Sequence, residues 1–112
     1  MRRWWLPLII IALGGCGDSV GPDGSLVGGP CTVNTDCSPS SRCLTGGDYP
    51  GGTCAVNCAS DADCPGGTAC VSSEGGVCLL ACAYTTDCRA GYVCKGRGRK
   101  GLPGEALVCF KD

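Results

Sequence analysis

One spacing, used three times, constrains this chain more than any other feature. The frame is Cys-x5-Cys-x5-Cys followed by a longer gap and a fourth Cys. It reads Cys31, Cys37, Cys43, Cys54, then Cys58, Cys64, Cys70, Cys78, then Cys82, Cys88, Cys94, Cys109. Only the last gap varies, at 10, 7 and 14 residues, and each version contains glycine. Twelve of the thirteen cysteines fall in the frame, and Cys16 stands outside it. Beyond Cys16 there is one Phe, Phe110, with no Trp and no Met. So few large apolar residues cannot build a conventional core, and domains this small need staples. Cysteine at this density marks a disulfide scaffold in an oxidising compartment. The expected fold is therefore small and disulfide-rich: three tandem four-cysteine units of short β-ribbons and turns. Twenty Gly and seven Pro argue against long helices.

Four cysteines permit three pairings per unit, and sequence alone does not choose. The constant first-to-third spacing favours the crossed pattern, first to third and second to fourth. Asp36, Asp63 and Asp87 each precede the second cysteine. An Asp there is expected to accept backbone N–H bonds from residues just after it and fix a turn. Calcium is the competing reading, but only Asp61 and Asp63 form a D-x-D pair. Short strands are expected at 76–80, 91–95 and 106–110, where Val, Leu, Tyr and Phe gather.

The N-terminus reads differently. Met1-Arg2-Arg3 precedes an apolar run from Trp4 to Leu13, and small residues follow. That order is the order of a secretory signal, and the run is too short for a permanent span. Leu13-Gly14-Gly15-Cys16 resembles the lipobox of bacterial lipoproteins. The resemblance implies cleavage before Cys16, a diacylglycerol on its sulfur and acylation of its new amine. It also accounts for the odd cysteine. Each buried CH2 contributes about 0.8 kcal/mol, so two or three acyl chains anchor stably. Gly17, rather than Asp, after the Cys leans towards the outer membrane. The expected division is a signal peptide over 1–15, a lipidated Cys and flexible tether over 16–30, and units at 31–57, 58–81 and 82–112. The tether reading rests on GDSVGPDGSLVGGP, which has no periodic apolar face.

The C-x5-C-x5-C spacing, with Asp before the second cysteine and a glycine-containing gap before the fourth, resembles Dickkopf-N-type cysteine-rich modules. Asp61-Ala62-Asp63-Cys64-Pro65-Gly66-Gly67 is similar to whey-acidic-protein modules, though their adjacent Cys-Cys pair is absent. Arrays like this behind a lipobox are also seen in predicted lipoproteins of myxobacteria. These resemblances imply a stapled scaffold rather than a particular activity.

Chemistry has little to stand on. There is no His, the usual general base and commonest metal ligand. The C-x2-C pairs of zinc and redox sites are absent. A cofactor is not expected, nor is an enzyme. Charge is uneven: residues 17–81 carry seven acids and one base, residues 82–112 six bases and three acids. Lys95, Arg97, Arg99 and Lys100 lie in a Gly-rich stretch with Arg89 upstream. They form a candidate anion site for lipid head groups, a glycan or an acidic protein; nucleic acid is not an expected partner. The leading expectation is a non-enzymatic envelope lipoprotein, held at the membrane through Cys16, whose array binds a partner or serves structurally. Alternatives are a protease inhibitor using the 44–53 loop, and a metal-binding protein.

Overall fold

The computed structural model describes residues 19–112, so the signal segment and Cys16 lie outside the described residues. Six short strands follow one another: β1 (Arg42–Leu44), β2 (Thr53–Asn57), β3 (Thr68–Val71), β4 (Val77–Leu80), β5 (Tyr92–Gly98) and β6 (Glu105–Lys111). Helix among the described residues is confined to single 3-10 turns, at Asn34–Asp36, Asp61–Asp63, Ser73–Gly75 and Thr85–Asp87. None is long and apolar enough to cross a membrane. The small disulfide-rich class is thus what the chain adopts.

Each unit is one antiparallel hairpin clamped by the segment before it. The third and fourth cysteines are directly opposite each other across the hairpin: Cys43 with Cys54, Cys70 with Cys78, Cys94 with Cys109. They are not bonded to one another. Instead the first cysteine takes the third and the second takes the fourth: Cys31–Cys43, Cys37–Cys54, Cys58–Cys70, Cys64–Cys78, Cys82–Cys94 and Cys88–Cys109. Cα separations of 5.6 to 6.0 Å are ordinary for disulfides. Spans of 12 to 21 residues give each bridge about 3 kcal/mol on a loop-entropy account. The variable gap is the hairpin itself, so its length can change without moving the staples.

The frame carries a second, hidden regularity. Asp36 Oδ2 accepts from the N–H groups of Thr32 and Val33 at 2.8 and 3.1 Å. Asp87 Oδ2 does the same for Ala83 and Tyr84 at 2.9 and 3.0 Å, and Asp63 Oδ2 for Ala59 at 2.7 Å. The turn role holds, but the donors lie before each Asp, not after it: a 3-10 turn folds the acid back over its own N-terminus. Three residues before each second cysteine, another side-chain oxygen accepts from the N–H of the third cysteine. The pairs are Asn34 with Cys43 at 2.9 Å, Asp61 with Cys70 at 2.9 Å, and Thr85 with Cys94 at 3.2 Å. Each 3-10 turn is therefore pinned to its hairpin beside the staple.

These bonds set an acid limit. The Thr32 and then the Val33 N–H hold the Asp36 carboxyl below its ordinary value; Ala83 and then Tyr84 do so for Asp87. For Asp61 the Cys70 N–H leads and Arg99 follows. Folded values below the unfolded one, near 3.9, mean stability that is complete above that value and lost as pH falls through the folded values. The urea midpoint is expected to hold from neutral pH down to about 4 and to drop below it. The double variant Asp36→Asn/Asp87→Asn should start lower at neutral pH and lose less on acidification.

The units are not independent beads. β2 pairs with β4 through Val56–Cys78 and Asn57–Val77, giving a four-stranded sheet ordered β1-β2-β4-β3. The β5–β6 ribbon is tied to that sheet by bridges between Val71 and Arg99 and between Ala81 and Val108. One core draws on all three units: Leu44, Tyr49 and Ala55; Val71, Val77 and Leu79; Val108 and Phe110. Pooling eight residues overcomes the shortage that each unit would face alone.

The expected tether is also different. From Ser19 onward it folds onto the second unit. Val27 is wholly buried against Cys58, Cys70 and Cys78, with Val20 and Leu26 beside it. Gly28 N–H donates to the Cys54 carbonyl and Cys54 N–H to the Gly29 carbonyl, both at 2.9 Å. Three apolar side chains and a backbone exchange suffice to fix a glycine-rich segment whose composition reads as linker.

Candidate functional site

Three of the five basic residues singled out by sequence are engaged by neighbours within the fold. Arg89 turns inward and ties three segments together. Its guanidinium donates to the carbonyls of Gly28 at 2.6 Å, Pro50 at 3.0 Å and Gly52, and lies 4.6 Å from the Tyr92 ring centroid. Tyr92 in turn donates its O–H to the Pro50 carbonyl at 3.0 Å. Arg97 lies over the Phe110 ring at 4.3 Å and reaches Ser73 Oγ at 3.4 Å. Arg99 pairs with Asp61. Residues 95–98 of the stretch belong to β5, and only its end at Lys100 and Gly101 turns away from the strand. Carbonyls, a core ring and a carboxylate thus claim three of the five cations. Lys95 and Lys100 have no ion pair among the described residues.

Lys100 instead joins Arg42, Asn57, Asp63 and Glu74 around an open basin of about 690 Å3. Arg42 is braced there: Nε donates to Asn57 Oδ1 at 2.8 Å and Nη2 to the Glu74 carbonyl at 3.3 Å. The basin offers donors and carboxylate acceptors side by side, which suits a polar contact of mixed charge. It contains no nucleophile–base pair. Sequence reasoning missed it because its residues come from all three units; only the fold brings Arg42 beside Glu74 and Lys100.

Glu74 is the one non-glycine residue among those described with a left-handed backbone, φ 54° and ψ 29°. An L side chain there costs about 1–2 kcal/mol against the right-handed region. Gly would relieve that but is freer in the unfolded chain. Glu74→Gly is therefore expected to raise stability by about 0.5–1 kcal/mol, read as a higher urea midpoint. A lower midpoint would mean that the Glu74 side chain itself holds the basin together.

The alternative sites fare as follows. The 44–53 loop is folded back by turns, Tyr49 N–H to Gly46 and Gly52 N–H to Tyr49 carbonyls at 3.1 and 2.8 Å. Leu44 and Tyr49 are buried, so neither side chain projects from the loop towards a protease. At Gly52 (φ 73°) a Cβ would collide with the Cys31 carbonyl, which requires glycine at that turn. Three sulfurs in each unit lie within 4.8 Å of one another. All belong to disulfides, and a disulfide sulfur lacks the thiolate charge that binds metal. No family model, curated protein or solved structure matches this chain.

Proposed function

We propose that the chain is an exported, lipid-anchored envelope protein, and that its cysteine-rich array is a non-enzymatic binding or structural module. Six disulfides mark an oxidising compartment. The observation that carries the rest is the pairing: all twelve repeat cysteines are consumed, and Cys16, at Leu13-Gly14-Gly15-Cys16, is the one left over. A lipid thioether is the chemistry that the lipobox-like context supplies for it. The complete lack of His supports a non-catalytic role. The basin at Lys100 and Glu74 is the part of the array best suited to a polar partner. Cys16→Ser is expected to lose the acyl mass and to keep the signal segment uncleaved, with all six bridges intact. Acyl mass still present on that variant would overturn the anchored reading.

A further inference from the structure

We infer that the array lies directly against the lipid head groups, with the segment around Ser19 and the 65–67 turn facing the bilayer; this rests on lipidation of Cys16. The decisive fact is that Ser19 is already tied into the fold. The Ser19 carbonyl already accepts from Leu26 N–H at 2.8 Å, and its Oγ accepts from Ser25 N–H at 3.1 Å. Cys16 precedes Ser19 by three residues, and three extended residues reach at most about 11 Å. An acylated Cys16 cannot therefore hold the array on a stalk.

The charge pattern fits that placement. Val20 sits beside Gly67, 3.7 Å from where a Cβ would stand, so the 65–67 turn is next to the point of anchorage. Residues 65–71 carry no charge. Residues 19–41 carry only Asp23 and Asp36, and the Asp36 carboxylate is taken by backbone N–H groups. The hydroxyls of this segment are held within it: Ser25 Oγ meets the buried Ser38 Oγ at 3.2 Å, and Ser41 donates to the Leu26 carbonyl at 2.6 Å. A surface with so few charges, of which Asp23 and Asp36 are the acids, can approach phosphate-bearing head groups with little like-charge repulsion. The charged basin lies at the other end of β3. That strand starts beside Gly67 and ends at Val71, which bridges to Arg99, next to Lys100. The partner-facing end is thereby turned away from the membrane.

The absence of Trp after Cys16 makes the test direct. Gly66→Trp places a single fluorophore where a Cβ meets nothing within 4 Å, and Leu102→Trp places one at an exposed site in the loop beyond Lys100. The lipidated variants are reconstituted in phosphatidylethanolamine–phosphatidylglycerol vesicles carrying a head-group nitroxide quencher. Quenching at residue 66 is expected to exceed that at residue 102 at least twofold. Twelve Gly/Ser residues inserted between Asp18 and Ser19 should remove the difference. Ser40→Trp, also exposed, serves as a second near-side probe if Gly66→Trp does not form its six bridges. Equal quenching at both ends, with acyl mass present on Cys16, overturns the inference alone. No acyl mass on Cys16 overturns it together with the anchored reading.

Discussion

Arg89→Ala is expected to destabilise the whole array by about 2–4 kcal/mol, a large share of the total for so small a protein. Arg89 satisfies the Gly28, Pro50 and Gly52 carbonyls at once and covers Tyr92. It thereby joins the N-terminal segment, the first unit and the third unit through one side chain. Removing it leaves the Gly28 and Gly52 carbonyls at a partly buried site without that donor, each at a penalty of about 1–3 kcal/mol where water cannot replace it, while Pro50 keeps the Tyr92 O–H. Arg89→Lys should recover less than half of the loss. One ammonium cannot reproduce the fork that spans Gly28 and Pro50. The check is urea unfolding of the oxidised protein. A loss below about 0.5 kcal/mol, the scale of ordinary surface changes, would show that Arg89 is a surface residue in effect.

Tyr49→Ala is the second large effect, at about 3–5 kcal/mol for removing a buried aromatic side chain. Tyr49 packs edge-on against Phe110 at 5.7 Å, and the two rings join the first unit to the third. Its hydroxyl is buried with no hydrogen-bond partner among the described residues. Burial first, and the nearby Glu74 and Asp48 next, push that hydroxyl up to about 12. It therefore stays neutral across the working range of pH. Because no bond is lost with the oxygen, Tyr49→Phe should be neutral or slightly stabilising. The contrast between the two variants, measured by thermal or urea unfolding, separates packing from polarity. Equal losses in both would mean that the hydroxyl carries a hydrogen bond after all.

The sequence was most legible where covalent spacing dominated. The fold class was readable from C-x5-C-x5-C; the crossed pairing was favoured by the constant first-to-third gap, but spacing alone left three pairings open. The strands expected at 76–80, 91–95 and 106–110 from their apolar residues overlap β4, β5 and β6, although β5 runs on to Gly98. β1, β2 and β3 were not: Arg42–Leu44 and Thr68–Val71 are too short to show alternation. Ala55-Val56-Asn57 lies at the end of the first unit, yet it belongs to β2, and its pairing with β4 fuses two units into one sheet. The regular acceptor three residues before each second cysteine was there to find. It was masked because Asn34, Asp61 and Thr85 are different residue types sharing only a side-chain oxygen. Composition misled twice. Glycine in 17–30 concealed the anchoring role of Val27. The basic run 95–101 looked like a loop, although Arg97 and Arg99 are held by Phe110 and Asp61. Long-range contacts decide both cases, and local pattern does not carry them.

The measurement that bears most directly on this account is the intact mass of the membrane-extracted protein, before and after reduction. The account predicts a chain that begins at Cys16, carries added acyl mass, and gains twelve hydrogens on reduction, two for each of the six bridges. Free thiols in the native protein, or a chain that retains Met1 without lipid, would contradict it.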